Sequence, residues 1–385
     1  MGGRNDAIRF SRMSADGSFQ GQLLETVFEN EFRLDPFRVD PDRFPPSKTS
    51  LPRRARIRLK QYLWKALFQR SFERSAERVR MELSKYGDLL PRLDSLYGKL
   101  GDAQSREILL AVLSYRILGR ERYAMPHNNA EYWRQRDHLR SHRASEREVP
   151  ISFLNWKLSH FDLEPLGYPM TVFGRPPGMQ HVFQLEQYRY NHSVDIKAEP
   201  GDYVIDAGAC WGEVALYFAH RVGPSGRVFA FEFIPENKRV FEENLSLNPE
   251  LRTRIDVVDH PVWKESGVTM YFTDNGPGSV VSMQSMPAAA GSVQSVSLSD
   301  FAKQRALPRV DFIKMDIEGA EIDALLGAEE ILRRFRPKLA ISVYHKPDHV
   351  VAIPEYLDSL KLGYRFYLDH FTTHMEETVL FATAR

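Results

Sequence analysis

A buried strand that runs into a glycine-bearing turn and then into a helix is the feature that most constrains the fold of this chain. The segment 204–214 reads VIDAGACWGEV, with an apolar run that ends at Asp206 and a helical pattern after Gly212. Glycines at such a bend let backbone N–H groups approach a ligand, and a helix N-terminus favours a carboxylate or phosphate. The turn therefore predicts a nucleotide-binding site with the contact residues Asp206, Gly208, Ala209 and Gly212.

The spacing of the glycines separates two kinds of nucleotide site. A dinucleotide fingerprint reads G-x-G-x-x-G, whereas this turn reads D-x-G-x-x-x-G with Ala207 after the acid. The strand that follows, 227–232, ends at Glu232, which could accept hydrogen bonds from both hydroxyls of an adenosine ribose. The alternative is an α/β fold whose glycines serve only tight turns and whose Glu232 is solvated. The agreement of three elements favours the cofactor site.

Composition favours a soluble enzyme with more than one domain. The chain has 385 residues, of which 43% are hydrophobic and 27% charged. Its single cysteine, Cys210, excludes an intramolecular disulfide and a cysteine-based zinc site, which predicts a reducing compartment. No apolar signal core follows Met1 and no apolar stretch approaches a membrane span, so we expect a cytoplasmic protein without a transmembrane segment. The net charge of +1 gives no reason to expect nucleic-acid binding.

The sequence divides into four predicted parts. Residues 1–52 are expected to be loosely ordered, 53–150 to form a helical accessory domain, 151–200 to form a strand-and-loop connector that could act as a lid, and 201–385 to form the cofactor-binding domain. Within the connector, punctuated aromatic runs predict strands or loops that end at 183–190. The start of a helix is predicted at Asp102 and Ser105.

Strands and helices alternate after residue 201, which is typical of a parallel sheet. Strands are predicted at 203–206, 227–232, 254–259, 310–316 and 338–344, and helices at 213–221, 235–247, 319–334 and 351–361. Two weaker strands are predicted at 269–272 and 292–298. The last two strands, 364–368 and 378–383, have no helix between them and should pair as an antiparallel hairpin. The expected fold is α/β, a doubly wound sheet closed by a C-terminal antiparallel hairpin and preceded by a helical region.

One segment is strongly basic, although the net charge of the chain is close to zero. Residues 53–80 carry ten Lys and Arg side chains and only two acids, with apolar residues at helical spacing. Such a basic amphipathic helix could lie on an anionic membrane or meet an acidic glycolipid. We favour the simpler interpretation, in which the helix docks on the rest of the protein.

A second chemical cluster lies near the ends of two later strands. Side chains alternate along a strand, so Lys314 and Asp316 are predicted to point to one side, with Asp316 at the carboxyl end where ligands of open sheets bind. The next strand, 338–344, delivers His345 to the same edge. An acid, a cation and an imidazole are therefore expected together.

These segments together resemble the FkbM-type family of S-adenosylmethionine-dependent methyltransferases. The resemblance is carried by the segments 201–212, 229–232, 235–237, 244–248 and 312–321, of which the last, FIKMDIEGAE, is the most distinctive. It implies a class I Rossmann-like sheet that binds S-adenosylmethionine and methylates hydroxyl groups of sugars, glycolipids or polyketide-type products. Asp259, at the end of the third strand, completes the predicted cofactor contacts, and His260-Pro261 follows where the family usually has a small residue.

Methyl transfer to a hydroxyl requires an aligned acceptor and a group that removes its proton. His345 is the predicted base because an unperturbed imidazole titrates at about 6.5. The alternative is a histidine at a strand end that hydrogen-bonds a neighbour. Lys314 is predicted to orient or to pair with an acid, and Asp316 to hold either the methionine end of the cofactor or the acceptor.

Magnesium is an alternative that the sequence does not favour. Asp316, Glu318 and Asp259 could supply oxygen ligands for Mg²⁺ and lower the pKa of an acceptor hydroxyl. Glu318 and Glu321 equally suit the first turn of a helix, where carboxylates stabilise the dipole. We therefore expect no metal.

Rival functions remain open at this stage. One is a methyltransferase that acts on nitrogen or on a nucleic acid, although the sequence has no Asn-Pro-Pro-Tyr type motif. Another is a nicotinamide-dependent dehydrogenase, or a cofactor-binding partner protein without chemistry. The aromatic residues Tyr188, Tyr190 and Trp211 could stack on a sugar ring, but packing is their more common role. The oligomeric state is not predicted.

Overall fold

The computed structural model describes residues 18–31, 79, 81–287 and 289–384. These fall into two compact units: one comprises residues 1–130 with 372–376, and the other residues 131–371 with 377–385. The basic segment 53–80 lies outside the described residues except for Val79, so its predicted helix stays a prediction. In the part of the chain that is described, no helix combines the length and apolar character needed to cross a membrane.

Helices dominate the described part of the first unit. They are α1 (Phe19–Glu31), α2 (Leu90–Lys99) and α3 (Ala103–Leu118). The predicted start of α3 is confirmed, because the carboxylate of Asp102 accepts a hydrogen bond of 2.9 Å from the backbone N–H of Ser105. The expectation of a loosely ordered start is wrong for α1. Its residues Phe19, Leu23 and Val27 recur every fourth position and are fully buried, which holds the helix in place.

Three antiparallel strands precede the central sheet of the second unit. The elements of this region are α4 (Ala130–Leu139), β1 (Arg143–Pro150), β2 (Lys157–Asp162), β3 (Thr171–Gly174), α5 (Pro176–Met179), β4 (Tyr190–Asn191) and β5 (Asp195–Ile196). The prediction of helix up to residue 150 is wrong, because residues 143–150 form the strand β1. This segment is charged and mostly exposed, and its pairing with β2 determines its conformation. Residues 180–184 form a π-helical turn, not the expected strand or loop.

A seven-stranded sheet forms the centre of the second unit. The remaining strands are β6 (Tyr203–Ala207), β7 (Arg227–Phe231), β8 (Ile255–Val258), β9 (Thr269–Phe272), β10 (Val281–Ser282), β11 (Gly291–Gln294), β12 (Phe312–Met315), β13 (Lys338–Ser342), β14 (Arg365–His370) and β15 (Thr378–Thr383). The order across the sheet is β14-β15-β13-β12-β6-β7-β8. β15 pairs antiparallel with both β13 and β14, and the other neighbours are parallel. The predicted parallel sheet with a closing hairpin is confirmed.

Helices cover the sheet between its strands. They are α6 (Glu213–Val222), α7 (Pro235–Leu247), α8 (Pro249–Arg252), α9 (Leu298–Gln304), α10 (Glu321–Gly327), α11 (Glu329–Phe335) and α12 (His349–Ser359). The single helix expected over 319–334 is wrong, since two helices meet at Ala328 and the first begins only at Glu321. Its start is delayed because Glu318 and Gly319 have φ of 54° and 95°, which no right-handed helix allows.

Candidate functional site

A cleft opens at the carboxyl edge of the central sheet, where β6, β7 and β12 end side by side. It encloses about 590 Å³ of space, part of it open solvent. Residues in its walls include Gly208, Cys210, Glu232, Phe233, Ile234, Asn237, His260, Pro261, Asp316 and Glu318. Of the predicted site residues, Gly208, Glu232 and Asp316 line it. Asp206, Ala209, Gly212, Asp259, Lys314 and His345 lie outside the lining.

The two glycines of the turn are required by the packing of the protein itself. Gly208 has φ +84°, and a Cβ there would lie 2.0 Å from the carbonyl oxygen of Asp316. Gly212 has φ +85°, and its Cβ would lie 2.0 Å from the ring of Phe241 in α7. The backbone N–H groups of Gly208 and Ala209 donate to the carbonyl that ends β7, at 3.2 and 3.0 Å. The turn is therefore held tightly between β7 and the loop after β12.

A buried ion pair lies beneath the turn. The Nζ of Lys314 is 2.9 Å from Oδ1 of Asp206, and it donates to the carbonyl oxygens of Gly208 at 2.6 Å and Ala207 at 3.2 Å. Burial lowers the pKa of Lys314, but the carboxylates of Asp206 and Asp316 more than reverse this and raise it. Lys314 is therefore a charged group that joins the adjacent strands β6 and β12, in agreement with its predicted ion-pairing role.

Glu232 lines the cleft immediately after β7. One carboxylate oxygen accepts hydrogen bonds of 2.7 Å from the backbone N–H groups of Phe233 and Ile234, and the other accepts one of 3.2 Å from the side chain of Asn237. Burial raises the pKa of Glu232 to about 7, although these hydrogen bonds oppose the shift. Asn237 also donates to the carbonyl of Gly276 at 3.3 Å, which joins two walls of the cleft.

Two tyrosines hold the carboxylate of Asp316 at the cleft. Tyr188 donates to Oδ2 at 3.0 Å and Tyr344 donates to Oδ1 at 3.2 Å. Burial raises the pKa of both phenols well above their ordinary value, so they remain protonated donors. The polar role of Tyr188 differs from the sugar platform considered above. Tyr344 was missed, although its place before His345 at the end of β13 was a readable signal.

His345 lies among three carboxylates. Its Nδ1 is 2.8 Å from Glu321, and its Nε2 is 3.3 Å from Asp316 and 3.5 Å from Glu318. Burial lowers the pKa of His345, but hydrogen bonds to Glu318 and Glu321 and the nearby charges raise it to about 11. The expected meeting of Asp316 and His345 is therefore present, with Lys314 set below them against Asp206.

Glu321 organises the loop that carries Asp316 and Glu318. It is fully buried, and its Oε1 accepts from the backbone N–H groups of Ile317 at 3.1 Å and Gly319 at 3.3 Å. Despite burial, which raises it, the pKa of Glu321 is lowered by hydrogen bonds from His345 and His349. The prediction of a first-turn position is confirmed for Glu321, which begins the helix and is buried, and is wrong for Glu318, which precedes the helix.

The remaining predicted residues lie in ordinary structural settings. Asp259 is exposed and pairs with Lys238, away from the cleft lining. Tyr190 packs against Tyr367 and Phe381, and Trp211 lies in an apolar cluster, as the packing interpretation predicted. Among the described residues, no group of three or more His, Cys, Asp and Glu side chains is arranged to hold a metal ion.

The turn, Glu232 and the loop after β12 all fall within a segment that matches a known domain. The family described as "Methyltransferase FkbM domain" matches residues 195–366. Residues 195–366 form an FkbM methyltransferase domain. This confirms the resemblance drawn from the motifs of the sequence, and the FkbM domain contains every predicted cofactor contact.

Two similar proteins support the assignment. Methyltransferase sdnD of Sordaria araneosa is 25% identical over 172 residues, which cover 36% of this chain and 66% of sdnD. The crystal structure of Methyltransferase FkbM from Methylobacillus flagellatus KT is 18% identical, with a TM-score of 0.50 over 78% of this chain and 60% of that chain. The chain thus spans slightly less than two thirds of the length of these relatives. The structural likeness confirms the α/β, Rossmann-like class I methyltransferase fold.

Proposed function

We propose that the chain is an S-adenosylmethionine-dependent O-methyltransferase that acts on a hydroxyl group of a sugar, a glycolipid or a polyketide-type metabolite. The observation that carries the proposal is that Glu232 and Asp316 both line one cleft of the FkbM domain, at the carboxyl ends of β7 and β12. Ligands of open α/β sheets bind at this edge.

The chemistry of the cleft fits this cofactor better than a dinucleotide. Among the described residues that line it, the charged side chains are the acids Glu232, Asp316 and Glu318, with His260 and no Lys or Arg. Carboxylates favour a sulfonium cation and accept hydrogen bonds from ribose hydroxyls. A pyrophosphate would meet like charges there, which argues against the nicotinamide-dependent alternative and against a nucleic-acid acceptor.

Each part of the cleft has its own role in binding the cofactor or the acceptor. Glu232 would accept hydrogen bonds from the ribose hydroxyls, and the apolar wall that includes Ile234 and Pro261 would contact the adenine. When bound, S-adenosylmethionine supplies an activated methyl group. Asp316, fixed by Tyr188 and Tyr344, accepts a hydrogen bond from the acceptor hydroxyl and aligns its oxygen with that methyl. As the acceptor oxygen takes the methyl group, its proton would pass to a carboxylate, for which Asp316 is the candidate, and the cofactor would leave as S-adenosylhomocysteine.

Neither a metal nor a membrane is part of the proposal. Asp259 pairs with Lys238 and does not line the cleft, so it does not join Asp316 and Glu318 as an Mg²⁺ ligand in this arrangement. Added EDTA should therefore leave most activity, and a loss restored by Mg²⁺ would contradict this part of the proposal. The cytoplasmic location stays a prediction from the sequence.

A thermal-shift panel with S-adenosylhomocysteine, NAD and NADP tests the cofactor. A ligand that binds only the native state raises its stability, by about 2.7 kcal/mol at a concentration one hundred times Kd. We expect a rise in Tm with S-adenosylhomocysteine and none with NAD or NADP. A screen of hydroxylated acceptors with methyl-labelled S-adenosylmethionine, read by mass spectrometry, then tests the reaction. A shift with NAD alone would refute the proposal.

A further inference from the structure

We propose that His345 acts as an imidazolium that positions the carboxylates of Asp316 and Glu318 in the cleft, and not as the base that removes the acceptor proton. The catalytic part of this inference rests on the proposed function, whereas the protonation state of His345 does not. Its side chain is 7% exposed and has carboxylate oxygens at both ring nitrogens: Glu321 at 2.8 Å from Nδ1, with Asp316 at 3.3 Å and Glu318 at 3.5 Å from Nε2.

The hydrogen-bond chemistry of these partners selects the charged ring. Ionised carboxylates only accept hydrogen bonds, and a neutral imidazole has one N–H to donate. Nδ1 hydrogen-bonds Glu321, whereas Nε2 lies at ion-pair distance from Asp316 and Glu318, and only an imidazolium presents an N–H to carboxylates on both sides. A general base needs a free lone pair on one nitrogen, and here each nitrogen of His345 faces an acceptor. The raised pKa of His345, about 11, agrees with this state, because the same carboxylates stabilise the cation.

The ring is anchored on its Nδ1 side. Glu321, which accepts from His345, also accepts from the backbone N–H groups of Ile317 and Gly319 and has Nδ1 of His349 at 3.1 Å from its second oxygen. Glu321 therefore fixes the imidazolium to the loop 316–320 from the protein interior. The opposite nitrogen is left to hold the two carboxylates that line the cleft.

Repulsion among the carboxylates around His345 explains why the imidazolium is needed to hold the loop 316–320 in place. The groups that face His345 are Asp316, Glu318, Glu321 and the phenol of Tyr344, whose ring centroid is 4.2 Å away. Without a cation at their centre, the carboxylates repel one another at short range and in partial burial. Glu318 has φ of 54°, a backbone conformation that is strained for a residue with a side chain. Loss of the charge should displace Glu318 from the cleft and leave Asp316 held by Tyr188 and Tyr344 alone.

The protonation state is measured directly by NMR of the full chain labelled with ¹⁵N-histidine. His345→Gln assigns the signal by its disappearance. We expect both ring nitrogens of His345 to keep imidazolium shifts from pH 6 to pH 9, where an ordinary histidine loses its proton at about 6.5. Titration of His345 within that range, or the shifts of a neutral tautomer, would overturn the proposal. The measurement needs no ligand, so its failure is distinct from a failure to bind S-adenosylhomocysteine.

The positioning role is tested by the charge-preserving variant His345→Lys beside the neutral His345→Gln. In the methyl-transfer assay, kcat should fall by about 10²-fold or more in His345→Gln and be largely restored in His345→Lys. Calorimetric Kd values for S-adenosylhomocysteine should change much less. His220→Gln, a variant in α6 away from the cleft, is the matched control and should behave as wild type. Equal loss in both His345 variants, with both folded by circular dichroism, would contradict positioning by charge.

Discussion

Two acids held by neighbouring donors, the buried Glu232 and the partly buried Asp316, define the cleft at the level of single residues. Glu232 keeps three hydrogen bonds from its own neighbours while its carboxylate lines the cleft. Asp316 is held by two phenols and approached by an imidazole. In both cases the surrounding donors fix the carboxylate before any ligand arrives, which lowers the cost of ordering it on binding.

The role of Glu232 predicts a pH-dependent affinity for S-adenosylhomocysteine. Its pKa is raised to about 7 by burial, and only the carboxylate can accept from both ribose hydroxyls. Lowering the pH through 7 protonates it, so the affinity should fall at acidic pH and level off above pH 8. Glu232→Gln should weaken binding at pH 8 by about 1.5 to 3 kcal/mol, the range of hydrogen bonds to a charged group, and should flatten the pH dependence. Calorimetry from pH 6 to 8 tests both effects, and unchanged affinity in the variant would remove Glu232 from the site.

Elements meet closely at the start of α6 and between β6 and β12. Gly212, before α6, touches the ring of Phe241 in α7, whereas Gly223, after it, has no atom within 4 Å of a Cβ position. β6 and β12 are adjacent and parallel, with Lys314 opposite Asp206 in the register. The carboxyl edge of the sheet is thus built from contacts between elements that are distant in the chain.

Gly212 and Gly167 form a matched pair for substitution. Both are left-handed, with φ of +85° and +89°, so alanine costs about 1 kcal/mol of backbone strain at each. At Gly212 the new Cβ would also lie 2.0 Å from Phe241, which adds about 1 to 3 kcal/mol of overpacking, whereas a Cβ at Gly167 meets no atom within 4 Å. Chemical denaturation should therefore show Gly212→Ala to be less stable than Gly167→Ala by that difference. Equal stability of the two variants would show that α7 can move away.

Removal of the buried cation should destabilise the protein strongly. Lys314→Met leaves Asp206 buried without its charge partner, which we expect to cost about 3 to 5 kcal/mol of the free energy of unfolding. The double variant Lys314→Met with Asp206→Leu removes both charges and should recover much of that loss. Free energies of unfolding of the wild type, Lys314→Met, Asp206→Leu and the double variant measure the coupling. A double variant less stable than the single would show that Lys314 acts through its contacts with the turn carbonyls instead.

Across the whole molecule, charge is distributed unevenly along the chain. The net charge is +1, yet the segment 53–80 carries a marked excess of Lys and Arg. The described acids Glu232, Asp316 and Glu318 gather in one cleft of the FkbM domain. The compact units divide at residue 130, whereas the sequence predicted the end of the helical region at 150; β1 belongs to the second unit.

The basic segment should not bind membranes under physiological conditions. Our interpretation is that residues 53–80 dock on the protein, so sedimentation with anionic vesicles should be negligible at physiological salt. Binding to a membrane surface would instead be strong at low salt and fall as salt rises. Salt-sensitive co-sedimentation that disappears when Arg53, Arg54 and Arg56 are changed to Glu would contradict docking.

The sequence by itself determined the alternation of strands and helices after residue 201, the closing hairpin, the FkbM domain and the placement of Glu232 and Asp316 in one cleft. These follow from local periodicity, from turn residues and from the rule that parallel strands end at one edge. It missed the helix α1, the strand β1 and the break at Ala328. The conformation of such segments depends on the elements against which they pack, and the local sequence pattern does not identify those elements.

Only the tertiary structure decided the state and partners of the polar groups. Periodicity predicted that Lys314, Asp316 and His345 would approach one edge, but not that Lys314 would pair with Asp206 or that His345 would face three carboxylates. The sequence does not distinguish the glutamate at position 321 from an exposed one. Its burial in the folded protein allows it to anchor the loop through His345. A pKa depends on desolvation and on charges within a few ångströms, and those neighbours come from segments that are far apart in the sequence.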